Sequence, residues 1–182
     1  MLLMPIMEYE SNALECRGKR VVVEMTSSQS DMTGVGFFNA RTVEQCDAAL
    51  KGNPEAENNS FSLVSEGELF LEENRLNISY KEEAVEGMEG CTTVISFDVN
   101  APECVTIERR GPLSSVFVIS KGERLFSTYS TPFGVIDMCI FGKKVENNVT
   151  EDGGTLSLDY AVELKGLTAQ RTRMEIKLRE LK

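Results

Sequence analysis

The sequence predicts an all-β protein, a single antiparallel up-and-down β-barrel that carries one short helical insertion. From residue 75 to residue 181, apolar and polar side chains alternate with the two-residue period of half-buried strands, and short turns separate the runs. A long series of strands favours closure into a barrel, because closure removes exposed strand edges. The third observation is that convincing helix signals are confined to residues 42–50.

The first part of the chain is less regular than the rest. Residues 1–17 lack clear periodicity and are interpreted as an N-terminal extension before a barrel domain of residues 18–182. Residues 19–26 are rich in β-branched side chains and predict the first strand. Residues 27–33 are then a polar loop, and residues 34–40 predict a second, weaker strand.

The helix has start and stop signals at both ends. Thr42 can cap the free amides of the first turn, and Gln45 completes a capping-box pattern. Gly52 offers a left-handed stop and Pro54 prevents continuation. Because polar turn residues follow, the span 41–60 resembles an insertion on a β scaffold.

From residue 61 onward the alternation predicts a meander of strands joined by tight turns. Pro112, Gly122 and Gly134 are turn residues of the kinds that fix φ or allow φ > 0. The predicted strands cover residues 61–72, 75–82, 90–99, 103–110, 113–120, 123–130, 135–145, 156–165 and 172–181.

Charge and composition argue against several function classes. The formal net charge is −10, with 29 acidic and 19 basic residues, so the surface repels a phosphate backbone and no nucleic-acid partner is expected. No apolar run approaches the roughly 20 residues of a membrane span, and the start of the chain lacks the features of a signal peptide. A cytoplasmic protein without a membrane partner is predicted.

The chain contains no histidine. This removes Ser-His-Asp and Cys-His catalysis and imidazole metal ligation, although carboxylates, tyrosine, lysine or cysteine could still act. The five cysteines are scattered without a CxxC motif, so we expect reduced thiols, no metal site and no cofactor: Cys16, Cys46, Cys91, Cys104 and Cys139.

Strand direction and side-chain parity bring two charges to one rim of the predicted barrel. In a meander, the ends of the strands 75–82 and 103–110 point the same way. Glu82 continues the apolar face of its strand, and Arg109 continues the apolar face of the other. Since buried charges are costly unless paired, the pair is interpreted either as an ion pair that plugs the barrel or as a polar group that faces a ligand at a cavity mouth. A bulge that turns one charge outward is the third alternative.

Two tyrosines join these charges as candidate ligand-binding residues. Tyr80 lies on the same face as Glu82, and Tyr129 lies near the same rim on the strand 123–130. No catalytic residue is predicted, because Glu82 and Glu83 are adjacent strand residues that point to opposite faces. Large side chains expected to point inward argue against a roomy cavity: Phe97, Phe117, Phe126, Phe141 and Tyr160.

Several short motifs, in their order and spacing, resemble the YwiB-like family of uncharacterised, small bacterial β-barrel proteins with a calycin-like (lipocalin-like) fold. The resemblance covers roughly residues 19–182 and is strongest from Ser65 onward. It rests on Tyr80-Lys81-Glu82, Gly87-Met88-Glu89-Gly90 with Thr92 and Thr93, Arg109 with Gly111, Tyr129-Ser130-Thr131-Pro132-Phe133-Gly134, Gly153-Gly154 and Tyr160. The resemblance implies a fold, and it brings no established activity, cofactor or substrate. The extension and the insertion at 41–60 depart from the family pattern.

Three functions remain open at this point. The first is a protein that binds a small, partly apolar or anionic ligand in the barrel or at its rim. The second is a barrel filled by its own side chains that acts as a protein-interaction module, and a homodimer is compatible with both. The third is an enzyme that uses rim carboxylates and Tyr129, which the absence of histidine disfavours.

Overall fold

In the residues that a computed structural model describes, ten β-strands form a single antiparallel sheet. The structure describes residues 18–32, 42, 44–46, 48, 56–83, 89–112, 114–131, 134–165 and 168–182. In chain order the strands are β1 (Lys19–Asp31), β2 (Ala56–Glu72), β3 (Arg75–Lys81), β4 (Thr92–Asp98), β5 (Cys104–Arg110), β6 (Ser115–Ser120), β7 (Arg124–Thr131), β8 (Gly134–Asn147), β9 (Gly154–Leu164) and β10 (Thr168–Glu180).

The strand order confirms the predicted all-β, up-and-down barrel. Neighbours in the sheet run β6-β5-β4-β3-β2-β1-β10-β9-β8-β7, so every hydrogen-bonded pair except β1–β10 joins consecutive strands. The β1–β10 ladder extends from Val21 opposite Glu180 to Asp31 opposite Gln170. The first and last strands therefore lie side by side in the middle of the sheet.

The barrel is nearly closed, and its seam lies between β6 and β7. At one end of the seam the Lys121-Gly122 turn crosses β8, where Gly122 N–H donates to Gly142 O at 2.7 Å and Gly142 N–H donates to Glu123 O at 3.1 Å. A Cβ atom on Gly142 would lie 2.2 Å from Ser120 O, so only glycine permits this approach. Within the described residues no ladder of backbone bonds joins β6 to β7, and Ser127 on the inner face of β7 is exposed.

Side chains on the inner faces form one hydrophobic cluster. Its members alternate along each strand, as the period-two pattern predicts. The deepest of them are Val23, Leu76, Ile78, Ile95, Val105, Ile119, Ile140, Leu156 and Ile176. Their burial defines the inside of the barrel for the strands that carry them, and the register of β7 against β8 extends the inner face to Leu125 and Ser127.

Two predicted boundaries near the start of the domain are wrong. β1 continues to Asp31, so residues 27–31 are strand where a polar loop was expected. β2 begins at Ala56, so the last residues assigned to the 41–60 insertion belong to the sheet. In both places the residues pair with the neighbouring strand, although their sequence is rich in hydroxyl and amide residues and lacks apolar alternation.

The predicted helix is present at the described residues 44–46 and 48. Thr42 caps its start, with Gln45 N–H donating to Thr42 Oγ1 at 3.3 Å and Cys46 N–H donating to Thr42 O at 3.2 Å. The predicted weak strand 34–40, the extension 1–17 and the predicted stop at Gly52 and Pro54 lie outside the described residues. In the described ranges no helix is both long and apolar enough to span a membrane.

Candidate functional site

The interior of the barrel contains a cavity of about 480 Å³. It lies toward the rim where β3 and β5 end, and its wall comes from the inner faces of β1 to β6 and β8 to β10. The lining is Met25, Ser27, Gln29, Phe61, Tyr80, Glu82, Thr93, Ile95, Ile107, Arg109, Ser115, Phe117, Met138, Tyr160, Val162, Leu164, Thr168, Gln170, Thr172 and Met174. Apolar walls with a few converging polar groups are typical of small-molecule sites.

Glu82 and Arg109 meet in this cavity as a two-bond ion pair. Arg109 Nε donates to Glu82 Oε2 at 3.1 Å, and Arg109 Nη2 donates to Glu82 Oε1 at 3.1 Å. Thr93 Oγ1 adds a third bond to Glu82 Oε1 at 2.6 Å. The prediction that the two charges lie within ion-pair reach is confirmed, and the alternative in which a bulge turns one outward is wrong.

The sheet register explains why these three side chains meet. Tyr80 on β3 lies opposite Thr93 on β4, and Thr93 lies opposite Arg109 on β5. Glu82 N–H donates to Cys91 O at 3.0 Å, which continues the strand pairing past the end of β3. The Glu82 side chain is thereby held on the inner face, directly beside Thr93.

The two partners differ in their access to solvent. The Glu82 side chain is 3% exposed and that of Arg109 is 23% exposed, so the carboxylate is the more deeply buried charge. Burial by itself lowers the pKa of Arg109, but its hydrogen bonds and charge attraction to Glu82 outweigh this effect and raise the pKa. The two guanidinium bonds to the two carboxylate oxygens are the geometry of an ion pair, in which the two charges offset each other.

Two tyrosine hydroxyls lie in the same polar group. Burial, followed by the charge of Glu82, raises the pKa of Tyr80 well above its usual range, and burial also raises the pKa of Tyr160. Both hydroxyls remain protonated near neutral pH. Tyr80 Oη contacts Met25 Sδ at 3.8 Å, a weak bond, and Thr93 is a second side-chain partner of this hydroxyl.

Two further hydroxyls line the cavity and have no hydrogen-bond partner among the described residues. They are Ser27 Oγ on β1 and Ser115 Oγ on β6, and both atoms are buried. Ser115 lies opposite Arg109 in the β5–β6 ladder. Buried polar atoms are nearly always bonded, so an unpartnered pair in one cavity indicates a place where other molecules supply the bonds. Neither serine could be singled out from the sequence, because a serine on an inner face carries no distinguishing pattern.

The predicted ligand-binding residues are brought together in part. Tyr80, Glu82 and Arg109 line the cavity. Tyr129 lies opposite Ile136 in the β7–β8 ladder, and its side chain is outside the described residues. Their role in binding a ligand remains a prediction.

The expected inward aromatic side chains divide between the two faces. Phe97, Phe117 and Tyr160 are inside the barrel. Phe126 is 56% exposed, and Phe141 is buried but stands apart from the interior cluster, since its neighbour Ile140 takes the inner position. The expectation that Phe126 and Phe141 point inward is wrong, and their absence from the interior leaves room for the cavity.

Two depressions larger than this cavity lie on the outside of the sheet. One, of about 590 Å³, is lined by polar side chains that include Ser60, Ser62 and Lys144. The other, of about 740 Å³, is lined by Arg20, Glu66 and other exposed residues. Both are open to solvent along charged strand faces, whereas the interior cavity combines apolar enclosure with unpartnered polar atoms. The interior is therefore the candidate site.

A family model described as "Domain of unknown function (DUF1934)" matches residues 50–176. The chain belongs to this family. A crystal structure of the ywiB protein from Bacillus subtilis is similar in fold, with a TM-score of 0.68 and 14% sequence identity over 96% of this chain and 100% of that chain. A comparison with curated proteins finds no match.

The DUF1934 match contains most of the candidate site. Glu82, Thr93, Arg109 and Tyr160 lie inside it, whereas β1 with Ser27 precedes it. The barrel nevertheless needs β1, since this strand joins β2 to β10.

Cysteines and acidic residues form no metal centre in the parts of the chain that the structure describes. Cys46, Cys91, Cys104 and Cys139 are reduced, and of these Cys104 is exposed. Burial raises the pKa of Cys139 to about 11, so this thiol is protonated and unreactive near neutral pH. What the DUF1934 cavity offers chemically is a neutral ion pair and a set of hydroxyl and guanidinium donors.

Proposed function

We propose that this protein binds one small, partly apolar molecule inside the barrel. The observation that carries the proposal is the interior cavity of about 480 Å³, within the range of roughly 300–1,000 Å³ that is usual for small-molecule sites. A barrel filled by its own side chains would leave no such volume. The calycin-like fold that the family resemblance implies agrees with this proposal, since a barrel of this size can hold one small ligand.

The polar groups in the cavity support a binding role. A ligand can be oriented by hydrogen bonds to the Glu82–Arg109 ion pair, to two protonated tyrosines and to two serines without a partner among the described residues. An acid–base enzyme needs a group whose pKa lies near neutral pH. Burial moves the pKa values of the two tyrosine hydroxyls away from that range. We therefore infer a binding protein rather than an enzyme.

The test compares a fluorescent probe in three proteins. N-phenyl-1-naphthylamine, an uncharged aromatic probe, should gain fluorescence on entering the wild-type cavity. Val162→Phe adds volume to the cavity wall and should abolish the signal, whereas Val64→Phe, on a side chain that is 68% exposed in the 740 Å³ outer depression, should leave it unchanged. Equal probe binding in all three proteins would locate the probe elsewhere and contradict the proposal.

Native mass spectrometry of protein purified without denaturation provides a second measurement. A bound molecule of constant mass, absent from Val162→Phe, would identify the natural ligand. A chain that binds neither the probe nor a co-purifying molecule would instead fit the interaction-module alternative.

We further infer that the protein acts in the cytoplasm. The four described cysteines are reduced and form no disulfide, the state that a reducing compartment preserves. Cell fractionation that finds the chain in an oxidising compartment, with disulfides, would contradict this inference.

A further inference from the structure

We propose that the Glu82–Arg109 pair makes the interior site selective for an uncharged ligand that presents a hydrogen-bond acceptor, such as a ketone, ester or amide oxygen. The inference rests on the proposed function and names the class of ligand. Carboxylates and phosphates of similar shape are expected to bind more weakly.

The free polar groups of the cavity are mainly donors. Arg109 uses two N–H groups on Glu82, which leaves three of the five N–H groups of a guanidinium without a partner among the described residues. Ser115 lies opposite Arg109, and its hydroxyl is buried and unpartnered. The Tyr80 hydroxyl is already engaged with the sulfur of Met25 and with Thr93. An oxygen placed beside the exposed edge of Arg109 can therefore accept from the guanidinium and from Ser115, which lies opposite it in the β5–β6 ladder.

The strongest acceptor in the cavity is already occupied. Glu82 receives two bonds from Arg109 and one from Thr93. A ligand that offers only donors would therefore compete with these bonds, whereas a ligand that offers an acceptor finds unused donors. The chemistry of the site thus favours an acceptor on the ligand.

Charge decides between a neutral and an anionic acceptor. An anion that enters the cavity loses its hydration. Only attraction to an uncompensated positive charge offsets this desolvation free energy. Here the Glu82 carboxylate neutralises Arg109 and repels a second anion nearby, and the whole chain has a net charge of −10. A carbonyl oxygen loses far less hydration and still receives the same hydrogen bonds. The uncharged ligand is therefore preferred.

The rest of the wall describes the body of that ligand. Apolar side chains surround the polar group: Ile95, Ile107, Phe117, Met138, Val162 and Leu164. An aliphatic or aromatic body of drug-like size or smaller fits this surface. The expected ligand is a mainly apolar molecule with a carbonyl-type oxygen.

Displacement of N-phenyl-1-naphthylamine by three compounds of similar chain length tests the inference: methyl decanoate, decanoate and decane. In the wild-type protein the ester should displace the probe at a concentration about tenfold lower than decanoate. The ester should also bind about three- to tenfold more tightly than decane, which lacks an acceptor. Ser115→Ala should weaken the ester and leave decane unchanged.

An ester is intrinsically less hydrated than a carboxylate, so it would enter any apolar cavity more easily. The decisive measurement is therefore how the affinity of decanoate relative to the ester changes between the wild-type protein and a variant. Glu82→Gln leaves Arg109 without its counter-charge, so decanoate should gain about tenfold and bind about as tightly as the ester. If Glu82→Gln does not fold, the comparison of ester with decane in wild type and Ser115→Ala still tests the acceptor.

The outcomes separate the two proposals. If the probe does not enter the barrel, the proposed function and this inference both fail. If the probe enters and is displaced by decanoate as readily as by the ester, or if decane equals the ester, the inference alone is overturned.

Discussion

Replacing Arg109 with methionine leaves the Glu82 carboxylate, whose side chain is 3% exposed, with Thr93 as its remaining side-chain donor. A buried charge that loses its partner costs about 3–5 kcal/mol, and we expect Arg109→Met to fall in this range. Glu82→Gln should cost less, about 1.5–3 kcal/mol for the lost charge-assisted bonds. The reason is that Arg109 is 23% exposed and can be hydrated when its partner is gone.

The double variant removes both charges together. Its loss of stability should be smaller than the sum of the two single losses, with an interaction energy of about 1.5–3 kcal/mol. The chain has no tryptophan, so urea denaturation is best followed by far-ultraviolet circular dichroism. Single losses that add to within about 0.5 kcal/mol would refute the buried pair.

The neighbouring pair Glu108–Arg110 is a matched control on the same strand. Arg110 Nε and Nη2 donate to the two oxygens of Glu108 at 2.7 Å each, distances shorter than those of the interior pair. However, these side chains are 33% and 65% exposed on the outside of the barrel. We expect Glu108→Gln and Arg110→Met to show almost no coupling, because solvent screens such a pair. Equal interaction energies in the two double-mutant cycles would show that burial is not the cause of the coupling between Glu82 and Arg109.

Three other predictions follow from single positions. Gly142→Ala forces a methyl group against Ser120 O and should lower the free energy of unfolding, measured by urea denaturation, by about 1–3 kcal/mol. An unchanged midpoint would show that the backbone at the seam shifts to accommodate the methyl group at no cost. Because burial raises the pKa of Tyr80 above that of the unfolded chain, folding should weaken as the pH rises above about 10, and a thermal melt of Tyr80→Phe should show a smaller alkaline loss. An aromatic disulfide reagent should label Cys104 in the native protein and spare Cys139, whose pKa is about 11, as peptide mass spectrometry can check; early labelling of Cys139 would contradict its burial.

The rim pair could be located from the sequence because two local rules were sufficient. Side chains alternate along a strand, and successive strands of a meander alternate in direction, so Glu82 and Arg109 had to share one face and one end. The same rules placed most of the strands from β3 to β10. These rules need no knowledge of which residues lie opposite each other.

The features that the sequence analysis missed depend on register or on distant contacts. Thr93 bonds Glu82 only because the strand pairing sets it opposite Tyr80. Gly142 is constrained by the backbone of Ser120, which no local pattern reveals. The second half of β1 carries hydroxyl and amide groups toward a partly polar cavity, so the apolar alternation that marks a strand is missing there.

The pairing of β1 with β10 has a consequence for folding. Val21 and Glu180 are partners although nearly the whole chain separates them, and the ladder continues over the length of both strands. Contacts of such long sequence separation form late, because the loop-closure entropy must be overcome first. During synthesis the six strands β1–β6 can form a sheet whose β1 edge stays open until β10 leaves the ribosome. The newly made chain therefore passes through a stage with an unprotected strand edge, at which chaperones or misassociation compete with native pairing.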